Sequence, residues 1–198
     1  MKAIEWIKFL QGQREQYGKI VFTATELANA GACKGTSIKV VLQRLVAQGV
    51  IERYSDGCYG QPGAATVEDL VPALDSTAYI TGMYAMYRHR LVTQVPVEIR
   101  CFSSRRHNRS RIRNTTLGKI VFVCITGGVY SHPASSTIAE PEQALCDFVY
   151  DCRRRRLRAQ DLVSFRNLDR LNADLLKSEL QRYPATVGRE INDLMDVM

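Results

Sequence analysis

The sequence predicts the α+β class, arranged as two domains, and three observations carry that reading. Residues 3–60 alternate helical and strand-like patterns in short segments that close on an Asp-Gly hairpin. A run with two breakers among small residues, Gln61-Pro62-Gly63-Ala64-Ala65, comes next. Beyond it lie β-rich runs and then a series of helical patterns. A chain of 198 residues accommodates two such domains, since domains commonly hold about 100–150 residues and smaller ones are viable.

In the first domain, Ala3, Ile4, Trp6, Ile7, Phe9 and Leu10 recur near helical spacing and predict a helix over 3–16, ended by Gly18. A β run at 19–22 leads to Thr23, which caps a two-turn helix that stops at Gly31. After Gly35-Thr36 a third helix carries Ile38, Val41, Leu42, Leu45 and Val46 on one face and ends at Gln48-Gly49. Residues 50–54 read as a strand, Ser55-Asp56-Gly57 as a tight turn and Cys58-Tyr59-Gly60 as the returning strand. Asp-Gly suits a type I′ turn, which needs positive φ at both central positions. Helix, short strand, helix, helix and a two-stranded hairpin is the order of a winged helix-turn-helix, here assigned to residues 1–62.

The second domain, residues 66–198, is expected to mix helices and strands and to finish in a helical tail. A short helix is predicted at 66–74, and Ser76-Thr77 caps another that runs through Tyr79, Ile80, Met83, Tyr84 and Tyr87 to Arg90. Strands are predicted at 97–102 and 119–126, on either side of an arginine tract, with a shorter one at 135–139. Pro141 in a first helical turn, followed by Ala144, Leu145, Phe148 and Val149, opens the tail, which also takes in 161–165 and 172–183.

Apolar residues make up 45% of the chain and charged residues 24%, ordinary values for a packed protein, so a disordered chain is excluded. No signal-peptide pattern opens the sequence and nowhere do about 18 apolar residues run together, so a cytoplasmic protein with no membrane partner is expected. The six cysteines, Cys33, Cys58, Cys101, Cys124, Cys146 and Cys152, lack metal-ligand spacing and read as core thiols. Net charge is +7, and its distribution matters more than its total. Twelve of the 19 basic residues beyond position 66 sit in two acid-free tracts, 100–119 and 153–158, which leaves the rest of that half net negative. Basic charge gathered in this way attracts polyanions, nucleic acid above all.

With its apolar face inward, the third helix presents Thr36, Ser37, Lys39, Val40 and Gln43 outward, with Arg44 at the edge. Lysine and glutamine hydrogen-bond base edges in a major groove, and small hydroxyls and a helix N-terminus suit phosphate. Lys34 in the preceding turn, and Arg53 and Tyr54 in the hairpin, are expected to bracket the helix on a DNA backbone. The segment holding Arg105, Arg106, Arg109, Arg111 and Arg113 reads as a polyanion contact or as a solvated loop. Arg153 to Arg156 are expected at a helix C-terminus, where cations suit the helix dipole. His89, His107 and His132 form no ligand pair and no glycine-rich phosphate loop is present, so no catalytic residue, metal or cofactor is expected. Glu140 and Glu142 flank Pro141, where acids suit a helix start and Glu142 can serve the first turn.

Several motifs then occur in a telling order. The hairpin ends in Asp56-Gly57-Cys58-Tyr59; Ala78-Tyr79-Ile80-Thr81-Gly82 runs on toward Leu91; Gln94-Val95-Pro96 precedes a strand; and Ala139-Glu140-Pro141-Glu142-Gln143-Ala144-Leu145-Cys146-Asp147 opens a helix. From about residue 5 to 170 this resembles the AbiEi family, the antitoxins of type IV toxin-antitoxin and abortive-infection systems. The resemblance implies an N-terminal domain that binds inverted repeats in its own promoter and represses the operon. It also implies a C-terminal domain that counteracts a nucleotidyltransferase-like toxin, without enzymatic activity of its own. One departure is Arg88-His89-Arg90-Leu91, where the family tends to show a His-Gly-Leu turn. Two other classes of function are compatible with the sequence. One is a nucleic-acid-processing protein, or a subunit of one, that holds substrate on the arginine loop; the other is a transcription factor whose second domain senses a ligand or dimerises.

Overall fold

The computed structural model describes residues 2–31, 36–108 and 110–196, and of residues 36 and 37 the backbone alone. It is a mixed α/β structure with two sheets. The chain divides into two compact units, Met1–Ser76 with Asn114–Gly118 and Thr77–Arg113 with Lys119–Met198.

The first unit contains α1 (Ala3–Tyr17), β1 (Val21–Thr23), α2 (Ala24–Ala30), α3 (Thr36–Ala47), β2 (Glu52–Ser55), β3 (Cys58–Gly60) and α4 (Val67–Leu74). Up to β3 this is the expected order. Thr23 begins α2 with a reciprocal cap: its hydroxyl accepts the Glu26 N–H at 3.2 Å, and the Glu26 carboxylate accepts the Thr23 N–H at 2.8 Å. The sheet has β3 in the middle, antiparallel to both β1 and β2. Trp6 and Leu10 of α1, Leu27 of α2, and Ile38, Leu42 and Leu45 of α3 close a core with Phe22 and Ile51. Burial of each such side chain stabilises by about 1.5–3 kcal/mol.

Several expectations for this unit are corrected. Val46 is 36% exposed, so the inward face of α3 is Ile38, Leu42 and Leu45, with Val41 half-buried against them. In the hairpin turn Gly57 has positive φ (78°) and Asp56 does not, so the turn is not type I′. Instead the strand is bulged: Arg53 pairs with Tyr59 while Ser55 pairs with Cys58. The bulge sends two successive side chains, Tyr54 and Ser55, inward. The unit also runs past the boundary expected at 62–66, because Val67, Leu70 and Val71 of α4 are buried and the helix packs on β1 and β3.

The second unit is built on β4 (Tyr79–Thr81), α5 (Gly82–Arg88), β5 (Glu98–Ser103), α6 (Pro141–Arg154), α7 (Ala173–Leu180) and α8 (Ala185–Asp196). Its sheet has the order β4-β5-β7-β6, completed by β6 (Ile112–Thr115) and β7 (Gly118–Cys124). β4 runs antiparallel to β5, and β5 parallel to β7. The helix expected from Ser76-Thr77 to Arg90 is therefore corrected: its first part is a strand. Tyr79, Ile80 and Thr81 are all fully buried and pair with β5, and a β-branched and aromatic triplet suits such a strand. Gly82, at φ 63°, turns the chain into α5.

Residues 135–139 make only an isolated bridge, Ile80 to Ile138, rather than a full strand. Residues 161–165 are not helical beyond a 3₁₀ turn that ends at Asp161. The helix expected over 172–183 ends at Leu180, and α8 follows as an element that the sequence reading lacked. α6 lies at the centre, buried on nearly all sides and packed against β4, α5, α7 and α8. Its buried polar side chains are all bonded. Glu142 stands in the first turn of α6, as expected, and also accepts the Asn172 N–H at 2.8 Å. Gln143 donates to Ser131 O at 2.6 Å. The Asp147 carboxylate accepts from the hydroxyls of Thr81 (2.7 Å), Tyr183 (2.7 Å) and Tyr79 (3.1 Å).

Candidate nucleic-acid interface

On α3 the core seam fixes what points outward. With Ile38, Leu42 and Leu45 buried, Lys39, Val40, Gln43 and Arg44 are exposed. Lys39 and Gln43 are four apart and share one stripe, with Val40 and Arg44 forming the next. No acid occurs in the helix. Val40 is 46% exposed, and an aliphatic side chain among polar ones suits the methyl group of thymine. Lys34 lies outside the described residues, as do the side chains of Thr36 and Ser37.

In the hairpin, Arg53 is exposed and paired with Asp56. Tyr54 is not available as a backbone contact, which corrects the expectation from sequence: it is 1% exposed. Its hydroxyl donates to Gln61 O and accepts the N–H groups of Ala64 and Ala65, each at 3.1 Å. Burial raises the pKa of this phenol, an effect that the two N–H donors oppose. The bulge at Tyr54 is the reason, since it breaks the in-out alternation of the strand.

In the second unit the arginine tract does not act as one loop. Arg100 is mostly buried and pairs with Glu98 at 2.7 Å and Asp151 at 2.9 Å. Burial alone disfavours its charge, but Asp151 and Glu98 outweigh that and hold its pKa above the usual value. Glu98 also meets Lys119 at 3.3 Å; burial works to raise its pKa, and Arg100 and Lys119 bring it below the usual carboxylate range. The mutual repulsion of the tract is thus relieved partly by carboxylates outside it. Arg105, Arg106 and Arg111 are exposed and Arg113 half-buried on β6, while Arg109 lies outside the described residues.

Arg106 and Arg111 open onto a cleft of about 670 Å³, together with Arg100, Arg154, Arg155 and His107. Its wall includes Val121, Phe122 and Val123 of β7, and the His107 ring stacks on Phe122 at 4.3 Å and 19°. The two basic tracts, separate in sequence, meet here. The C-terminal end of α6 carries Arg154 and Arg155 to the face of the sheet that holds Arg100. Each tract is visible in the sequence; their convergence follows from the pairing of β5 with β7 and from the packing of α6.

Among the described residues no group of three His, Cys, Asp or Glu side chains is placed to hold a metal ion, and no helix is long and apolar enough to cross a membrane. Comparison of the chain with protein-family models and with curated proteins found no match.

Proposed function

We propose that the first unit is a winged helix-turn-helix that reads double-stranded DNA through α3, and that the protein is a transcriptional repressor acting as an antitoxin on its own operon. One observation carries the DNA-binding half: α3 turns an acid-free face, Lys39, Val40, Gln43 and Arg44, to solvent while its opposite seam is locked in the core. Rigid presentation of donors at about one helical turn's spacing is what base-edge recognition in a major groove requires. Arg53 on the adjacent hairpin supplies a phosphate contact once it exchanges Asp56 for the DNA backbone.

The antitoxin half rests on the AbiEi resemblance of the motifs in the second unit. Its one noted departure weighs less than the sequence suggests. Arg90 sits at φ 62°, in the left-handed conformation that the glycine of a His-Gly-Leu turn adopts at least cost. The Arg90 N–H donates to Tyr87 O at 3.0 Å and the Leu91 N–H to Met86 O at 2.8 Å. This bonding is the helix-ending pattern that favours glycine at that position. The implied partners are promoter DNA with inverted repeats and a nucleotidyltransferase-like toxin.

The test is a titration of labelled upstream intergenic duplex against the full chain. Specific binding is expected, weakened about tenfold by Lys39→Ala and by Gln43→Ala, with little change for random duplex. Equal loss on both DNAs, or none, would remove the groove assignment. Co-expression with the neighbouring gene tests the antitoxin role: growth arrest by that gene alone, relieved by this chain, is expected, and an adjacent gene that arrests nothing refutes it.

A further inference from the structure

We propose that the arginine cleft of the second unit is a binding site for a nucleoside polyphosphate. The inference concerns a different unit and a different ligand from the DNA-binding reading and does not depend on it. About 670 Å³ lies within the range of small-molecule sites, roughly 300–1,000 Å³. A cleft of that size has room for one nucleotide.

The charge on its walls is lopsided. Five arginines, Arg100, Arg106, Arg111, Arg154 and Arg155, line the cleft with a single carboxylate, Asp151, and of the five Arg100 is also paired with Glu98 behind the wall. The Asp151 carboxylate is already shared, at 2.9 Å from Arg100 and 3.7 Å from Arg155. Arg106 and Arg111 make no ion pair among the described residues. Arg154 reaches only a backbone oxygen, Cys124 O at 3.5 Å, and lies over the Tyr150 ring. Planar guanidinium forks match phosphate oxygens two at a time, so several converging on one cavity suit a chain of phosphates better than a single anion.

The remaining wall is mixed, with Asn108, Cys124 and Thr126 beside apolar and aromatic residues. β7 brings Val121 and Val123 to the face that carries Arg100, and at the strand's edge the half-exposed His107 ring is held flat by its stack on Phe122, which alternation turns to the other face. A ring fixed in that way at the side of a cationic cavity is a stacking platform for a base, and histidine serves this purpose in nucleotide recognition. Phosphate recognition and a base platform in one cavity define a nucleotide. An inorganic polyphosphate would use only the arginines.

The experiment uses the full chain at about 0.15 M salt, where exposed charges are screened beyond about 8 Å, with fluorescent ATP and GTP analogues as probes. Binding is expected, with Arg106→Ala and Arg111→Ala each weakening it about tenfold. Both side chains are exposed, and an unchanged melting temperature confirms that the variants fold. His107→Ala is expected to weaken nucleotide binding and to leave competition by inorganic tripolyphosphate unchanged. Lys39→Ala is expected to have no effect, which separates this site from the DNA-binding face. The proposal is overturned if neither probe binds at millimolar concentration, or if the arginine variants bind as well as the parent. It is also overturned if tripolyphosphate competes as strongly as unlabelled nucleotide and His107→Ala changes nothing. Preferential competition by a 5′-phosphorylated single-stranded oligonucleotide would refute the free nucleotide in favour of a strand end.

Discussion

Asp147 is wholly buried in α6, and replacing it with asparagine perturbs one charge while keeping the shape of the side chain. Burial pushes its pKa up from 3.8 to about 7, against the opposing hydrogen bonds of Thr81, Tyr183 and Tyr79 and the charge of Arg182. The folded chain therefore holds a proton that the unfolded chain releases. Between about pH 4 and pH 7 the unfolded state gains stability relative to the fold as pH rises. The contribution is complete below pH 4 and lost by about pH 7, and amounts to about 4 kcal/mol. Whole-domain stabilities are commonly about 5–15 kcal/mol, so this single site is a large share.

Asparagine mimics the protonated carboxyl: one oxygen still accepts from Tyr79 and Thr81, while the amide N–H₂ faces the Tyr183 hydroxyl and forces it to find another acceptor. At pH 5 the variant is expected to be less stable than the parent by about 1–2 kcal/mol, the cost of that mismatch. As pH rises to 7 the parent loses stability, the variant does not, and the gap closes or reverses. Thermal melts of both proteins from pH 5 to 8 read this directly, at about 2–4 °C per kcal/mol for a chain of this size. Glu26 and Glu98, whose pKa values are lowered, act in the opposite sense at lower pH and cancel in the comparison. A gap that stays constant between pH 5 and 7 would refute the reasoning. That outcome would mean that the three hydroxyls hold the carboxylate ionised throughout, because a pKa at or below the usual 3.8 leaves nothing to titrate above pH 5.

Other outcomes follow from single contacts. Arg90→Gly is expected to stabilise by about 1 kcal/mol, because the residue already sits in the left-handed region; a lower melting temperature would contradict it. Tyr54→Phe removes a hydroxyl that serves three backbone groups and is expected to cost about 2–3 kcal/mol in urea melts. DNA affinity of the folded variant should be unchanged, and a loss there would restore Tyr54 as a contact. Arg53→Ala removes only an exposed ion pair, so the melting temperature should hold. The slope of log affinity against log salt should fall by about 0.9 on any duplex, and an unchanged slope would take the hairpin off the DNA.

The parts of the fold legible in the sequence are those that local patterns specify. The apolar spacing of α1 and α3, the Thr23 cap and the Asp-Gly hairpin all depend on residues within a few positions of one another. Where the reading failed, a distant partner intervened. Tyr79 and Ile80 have a spacing that also suits a helix, and only β5 alongside them makes a strand. Tyr54 looks like an exposed hairpin residue until the bulge turns it inward. Asp147 carried a faint signal, an acid inside the apolar run Ala144-Leu145-Cys146-Asp147-Phe148-Val149, but its partners lie 36, 66 and 68 residues away.

The candidate surfaces divide in the same way. The outward stripe of α3 follows from helical periodicity and a count of apolar positions, so Lys39, Gln43 and Arg44 were accessible to sequence reasoning. The arginine cleft was not: each tract was visible as charge, yet nothing local joins residues 100–111 to 154–155. The sequence by itself determined where the charge, the caps and the amphipathic faces lie, because those depend on neighbours along the chain. The tertiary structure alone decided which arginines are neutralised by Glu98 and Asp151 and which converge on a shared cavity. Those outcomes depend on strand pairing and helix packing over separations that no local pattern encodes.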